Sequence, residues 1–296
     1  MKKFICSLIV SAVVANLTAE EVNSVQRQDT EVLKPSADNL ENIKETALST
    51  VMKVVDNSGR YSYVERMAQI KMLSKTLSSD DIVTLYDFLY GKEKGTLSVL
   101  QFNAIKNNVV LVLKSQKVFP RDLGFHLIAM YRDEKFDDVW RDYCIQFLGS
   151  TYEALSDDEK VEVQDVFKDA MKYKKKTISG TVLLSMSRLD HLKEFSPNLV
   201  AVYAQKLVED KEVVYFVKST ALQISSKYKN PDCLKSARAI LKSKESHSIL
   251  LMSAIAVVGE HGDVSDKEVL KKLSSCKDSR LRKAATTAVK KLKLVI

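Results

Sequence analysis

An all-α chain of stacked antiparallel helix pairs is what this sequence predicts, and three observations predict it. The 296 residues include only 8 Gly and 4 Pro, too few turn formers for an all-β protein. Counting from Asp278, apolar or small residues fall at plus three, seven, ten and eleven (Leu281, Ala285, Ala288, Val289), with Arg282 at plus four, a spacing that buries one stripe of a helix. Counting from Asp137, the same offsets land on Trp140, Arg141, Cys144, Phe147 and Leu148. The third observation is a period. First helices of successive pairs are predicted to begin near Arg60, Leu97, Asp137, Lys175, Lys211, Ser246 and Asp278, at intervals of 37, 40, 38, 36, 35 and 32 residues, the length of a two-helix repeat.

The elements follow in chain order. Residues 1–19 read as a targeting segment, with Lys2 and Lys3 ahead of an apolar run over residues 4–15 and small residues at Ala15 and Ala19. Cleavage is predicted after Ala19, with Ala15 as the competing site and a retained anchor as the alternative; the apolar run is shorter than the roughly 20 residues a spanning helix needs. Residues 20–35 lack helical apolar spacing and read as a flexible leader. Residues 36–296 are the predicted repeat domain of about six pairs. Leu40, Ile43, Ala47, Val51 and Val54 share one face of an amino-terminal capping helix, which the sequence Asp56-Asn57-Ser58-Gly59 ends.

Second helices are placed by caps and breakers: Ser79-Asp80-Asp81 before Ile82, Pro120 before Leu123, Ser156 with Glu159 in capping-box spacing before Val161, Pro197 before Leu199, Asn230-Pro231 before Leu234, and Ser265-Asp266 before Val269. The anchors at Ser246 are Ile249, Leu250, Ser253, Ala256 and Val257, followed by Gly259 and by Gly262-Asp263 as a stop and turn. The last helix closes the array with Arg280, Lys283, Thr287 and Lys290 toward water.

An Asp opening the first helix, an Arg four residues later and a Gly-Asp ending resemble the HEAT-repeat family, most closely over residues 137–292. The resemblance implies an armadillo-like, right-handed α-solenoid. It also implies that Asp137 with Arg141, and Asp278 with Arg282, are structural ladder residues bracing adjacent repeats. A helix-opening Asp would in addition cap free N–H groups.

Export narrows function, because nucleotide-dependent enzymes and chromosomal DNA binders work in the cytoplasm. The formal net charge is +8, or +6 without Lys2 and Lys3, a balance that favours acidic surfaces without selecting one. Cys144, Cys233 and Cys276 would remain. Cys144 sits on an apolar face, and Cys233 and Cys276 lie near opposite ends of their helices, so no disulfide is predicted. His126, His191, His247 and His261 lack metal-ligand spacing, and serine elbows and glycine phosphate loops are absent. Neither metal nor small-molecule cofactor is expected, and no catalytic residue stands out.

The nearest thing to a patch is the carboxyl end, where ten Lys or Arg face Asp266, Glu268 and Asp278 over residues 264–296. Lys283, Lys290 and Lys291 are its candidate contacts with an anionic partner. A capping helix also needs a polar outer face, which explains the same lysines structurally. A second basic run, Lys172, Lys174, Lys175 and Lys176, reads as a solvated loop. The expected function is therefore an exported, periplasmic or secreted scaffold for a protein partner. The alternative is electrostatic binding of an anionic envelope polymer or membrane surface through the basic end; nucleic acid is not an expected partner.

Overall fold

The computed structural model describes residues 49–243 and 247–292, which belong to the second of two units, 1–47 and 48–296, into which contacts divide the chain. The predicted signal segment, the leader, most of the amino-terminal capping helix and Ser246 lie outside the described residues.

Those residues form α1 (Thr50–Val55), α2 (Tyr63–Met72), α3 (Ser79–Tyr90), α4 (Val99–Lys114), α5 (Leu123–Arg132), α6 (Asp138–Thr151) and α7 (Asp157–Ala170). They continue as α8 (Ile178–Arg188), α9 (Pro197–Glu209), α10 (Tyr215–Lys227), α11 (Pro231–Lys242), α12 (Ser248–His261), α13 (Lys267–Leu273) and α14 (Ser279–Leu292). Short 3-10 turns complete the order, and no strand occurs among the described residues. No helix there is long and apolar enough to cross a membrane.

Local chemistry sets the starts. Ser62, Ser98 and Ser156 open α2, α4 and α7 with reciprocal capping boxes to Glu65, Gln101 and Glu159. Asp137 accepts from the backbone N–H groups of Val139 and Trp140, and Asn230 accepts from Asp232 ahead of Pro231. Each such cap contributes about 1 kcal/mol. First helices begin one to four residues after the positions expected from the period, at Tyr63, Val99, Asp138, Ile178, Tyr215, Ser248 and Ser279. Side-chain caps fix the first residue of α2, α4 and α6, whereas α8 and α10 begin without one.

Even-numbered helices from α2 to α14 are the first helices, odd-numbered ones from α1 to α13 the second. Each first helix packs on the next first helix from α2 through α14, and second helices pack similarly at α1 with α3, α5 with α7 and α9 with α11. This is the stacking of an all-α solenoid. The closest hairpins run from a second helix into the following first helix, as in α5–α6, α9–α10 and α11–α12, so the tight unit straddles the pairs drawn from the sequence.

A recurring cation bridges four of the second-to-first junctions. Arg66 of α2 donates to the Val54 carbonyl (2.7 Å), Lys106 of α4 to Gly91 (2.6 Å), Arg141 of α6 to Tyr131 (2.7 Å) and Arg282 of α14 to Cys276 (2.9 Å). In the first three cases a first helix places positive charge on the carbonyl end of the second helix before it, where free C=O groups and the helix dipole favour a cation; Arg282 reaches the turn just after α13. On α8 the Ser179 hydroxyl makes the corresponding bond to Tyr173.

Glu159 works between repeats. One carboxylate oxygen completes its own capping box, while the other accepts from the Gly124 N–H (2.9 Å) in the first turn of α5, a helix whose own Asp122 makes no capping bond. A Cβ at Gly124 would sit 2.6 Å from that oxygen, so only glycine admits the bond. The seams between later first helices are lined by small residues: Gly149 faces Ser185, and a Cβ on Gly259 would stand 2.7 Å from the Ala288 Cβ and 2.9 Å from its Cα. Larger side chains, Phe102, Ile105 and the caged Lys106, occupy α4 in the earlier part. Trp140, Leu85, Leu127 and Phe167 anchor a continuous core.

Candidate interaction surfaces

The expected ladder residues act locally and across one seam. Asp137 caps α6 and also accepts from Asn103 Nδ2 of α4 (2.9 Å). Arg141 is buried: besides the Tyr131 carbonyl it donates to the Tyr173 hydroxyl (2.9 Å), and its guanidinium lies over both tyrosine rings. Its nearest carboxylate is Asp138 at 3.7 Å, not Asp137. Asp278 caps α14 through Arg280 and Leu281 and pairs with Arg280, while Arg282 stays exposed. The same motif is buried at Arg141 and exposed at Arg282.

Lys283, Lys290 and Lys291 stand exposed on α14. Thr286 and Thr287 turn their hydroxyls back to the carbonyls of Arg282 and Lys283, so every charged group on this helix is positive. The second basic run is tied down instead: Lys172 pairs with Asp169, Lys174 with Asp210 and Lys176 with Asp138. All four lysines remain exposed, as a solvated loop requires, and the pairs reach three elements.

One cluster invites a catalytic interpretation. Lys227 Nζ lies 3.0 Å from Ser187 Oγ, 2.7 Å from Asp190 and 3.1 Å from the Tyr228 hydroxyl, which itself meets Ser187 Oγ at 3.0 Å. A serine is activated only by a group able to take its proton. Burial would lower the Lys227 pKa, but the bonds to Asp190 and Tyr228 outweigh it and hold the ammonium above its ordinary value. Burial likewise pushes Tyr228 up. Lys227 also donates to the Ser187 carbonyl at the end of α8 (2.9 Å), so the cluster is a brace between first helices, extended by Ser226 with His261 of α12 (2.8 Å). Burial raises the thiols of Cys144 and Cys233 as well, leaving them poor nucleophiles. Among the described residues no group of His, Cys, Asp and Glu is arranged to hold a metal ion.

The second helices present a different surface. The Tyr86 ring stacks on His126 with centroids 3.8 Å apart, its hydroxyl donates to Asp122 (3.1 Å), and the Tyr90 hydroxyl meets His126 Nδ1 at 3.1 Å. These contacts set α3 and α5 in register at an offset of 36 residues, and the Gly124–Glu159 bond sets α5 and α7 at 35. Those offsets set Tyr90 level with Val161, through His126, and leave Phe125 one residue, about 1.5 Å, from the same level; the three are 37%, 40% and 60% exposed. On α9, Leu199 and Val202 are exposed apolar residues as well. Anchor spacing did not reveal the row of Tyr90, Phe125 and Val161, since it looks only for the buried face; its signal was residues one repeat length apart.

No family model matches the chain, and no curated protein does. Among solved structures, human deoxyhypusine hydroxylase in complex with glycerol aligns over 83% of this chain and 95% of its own at 9% identity and a TM-score of 0.35. A likeness this loose bears on neither fold detail nor activity.

Proposed function

We propose that this chain is an exported, HEAT-like scaffold for protein–protein interaction that binds through the face of its second helices and performs no catalysis of its own. The observation carrying it is a set of exposed apolar residues, Tyr90, Phe125, Val161, Leu199 and Val202, on four consecutive second helices. Contiguous exposed apolar surface marks binding sites more often than isolated exposed residues do. The test is cross-linking pull-down of residues 20–296 from the envelope or secreted fraction of the source cells, washed at low and high salt. A protein recovered at both salts and cross-linked to α3–α9 supports the scaffold.

A second function has its own observation, the acid-free charged face of α14. Attachment to an anionic polymer or membrane face through Lys283, Lys290 and Lys291 requires binding that falls steeply with salt. Reversing the three lysines to Glu would abolish it; retained binding would remove this alternative.

A further inference from the structure

On α3, α5 and α7 each member of the apolar row follows an exposed aspartate by three residues: Asp87–Tyr90, Asp122–Phe125 and Asp158–Val161. By the inter-helix register Asp87 and Asp158 share a level and Asp122 lies one residue from it, so the face carries two roughly parallel rows. One is apolar and one acidic, and they lie about 4.5 Å apart along the helix axes, three residues at 1.5 Å each. Neither Asp87 nor Asp158 forms an ion pair among the described residues. More widely, α3 and α7 together carry nine acids against Lys160 and Lys168, while Glu159 is committed to Gly124. On α9 the acidic row stops, since only Lys206 and Glu209 are charged there.

We propose that these two rows receive a basic amphipathic α-helix of a protein partner, lying across the second helices. The proposal rests on the scaffold function above and specifies the chemistry of its partner. Packed helices are about 8–10 Å apart, and residues seven apart on one face of a helix are separated by about 10.5 Å. A crossing helix with an apolar side chain at every seventh position therefore sets one on each of Tyr90, Phe125 and Val161. Lys or Arg beside each apolar residue then meets Asp87, Asp122 and Asp158, and the exposed Tyr90 ring offers a cation a further contact. An acidic helix would bring like charges together on all three crossings, which costs affinity.

The test uses full-length mature protein and two labelled synthetic peptides of about 21 residues, long enough to cross three helices. Both have Leu at every seventh position in an Ala-rich background; one flanks each Leu with Lys, the other with Glu. Fluorescence anisotropy should show the Lys peptide binding at least about tenfold more tightly, the scale of a typical interface hot spot. Phe125→Asp with Val161→Asp should weaken it at least about tenfold, and Asp87→Lys with Asp158→Lys should reverse the preference toward the Glu peptide. All four positions are exposed, and circular dichroism confirms that the variants fold. Lys283→Glu, Lys290→Glu, Lys291→Glu should bind the Lys peptide as the parent does. Equal binding of the two peptides, no binding of either, or indifference to the Phe125 and Val161 changes overturns the proposal. A native partner cross-linked elsewhere on the array would then leave the scaffold function standing without it.

Discussion

Asp142 offers the most searching test of the stacked architecture, because its carboxylate lies in the seam between α6 and α8 beside Thr177 and Thr181. One oxygen, Oδ1, is buried without a hydrogen-bond partner. Burial pushes its pKa from 3.8 up to about 6, and the two threonine hydroxyls only temper the rise. The folded chain thus holds this proton more tightly than the unfolded chain. Below pH 3.8 both states are protonated and the group is neutral to stability; as pH rises through 6 the fold loses the full difference. Two units at about 1.4 kcal/mol each set a ceiling of about 3 kcal/mol, and because the residue as a whole retains some solvent contact, about 1–3 kcal/mol is expected. Asp142→Asn removes the titration. Urea unfolding of parent and variant at pH 4, 5, 6 and 7 isolates it, because the lowered carboxylates such as Asp56 and Asp190, which act in the opposite sense, cancel in the difference. The variant should gain on the parent steadily from pH 4 to pH 7. A difference that stays flat over that range would mean that Asp142 is solvated and the seam open.

Lys106 makes the complementary prediction, since burial over Phe102, Phe136 and Trp140 lowers its ammonium to about 8. Its penalty is present below pH 8 and disappears as pH rises through 10.5, so any advantage of Lys106→Met in unfolding experiments should shrink between pH 7 and pH 10. Arg141→Ala should cost about 3 kcal/mol by thermal or urea unfolding, because it strips buried partners, whereas Arg282→Ala should cost under about 1 kcal/mol at its exposed site; equal losses would refute the burial contrast. Gly259→Ala should destabilise by about 1–3 kcal/mol through overpacking against the Ala288 backbone, and a neutral result would mean that α12 and α14 are not closely stacked.

Helix positions were legible because they depend on local chemistry. The capping box at Ser156, the cap at Asp137 and Pro231 in the first turn of α11 each act within four residues, and the anchor stripe reports burial directly. The cation bridges at four of the second-to-first junctions were not legible, because their target is a carbonyl, and backbone acceptors are invisible in a sequence. Lys106 shows the difficulty well: it lies eight residues after Ser98, not four, and clamps Gly91 without any acidic partner. Register was strongest after residue 137 because the seams there are closed by glycine, alanine and serine, which leave regular small positions; around α4 bulky side chains vary the spacing. The outward rows escaped notice for a related reason. Asp87–Tyr90, Asp122–Phe125 and Asp158–Val161 are ordinary pairs until one repeat length is used to lay them side by side.

The most direct test of the interaction account compares three forms of residues 20–296 in the same cross-linking pull-down: parent, Phe125→Asp with Val161→Asp, and Lys283→Glu with Lys290→Glu and Lys291→Glu. The account predicts one protein partner recovered by the parent and by the lysine variant at both salts, and lost from the Phe125 and Val161 variant. Recovery by the Phe125 and Val161 variant, with loss from the lysine variant and at high salt, would contradict it and place binding on the basic end.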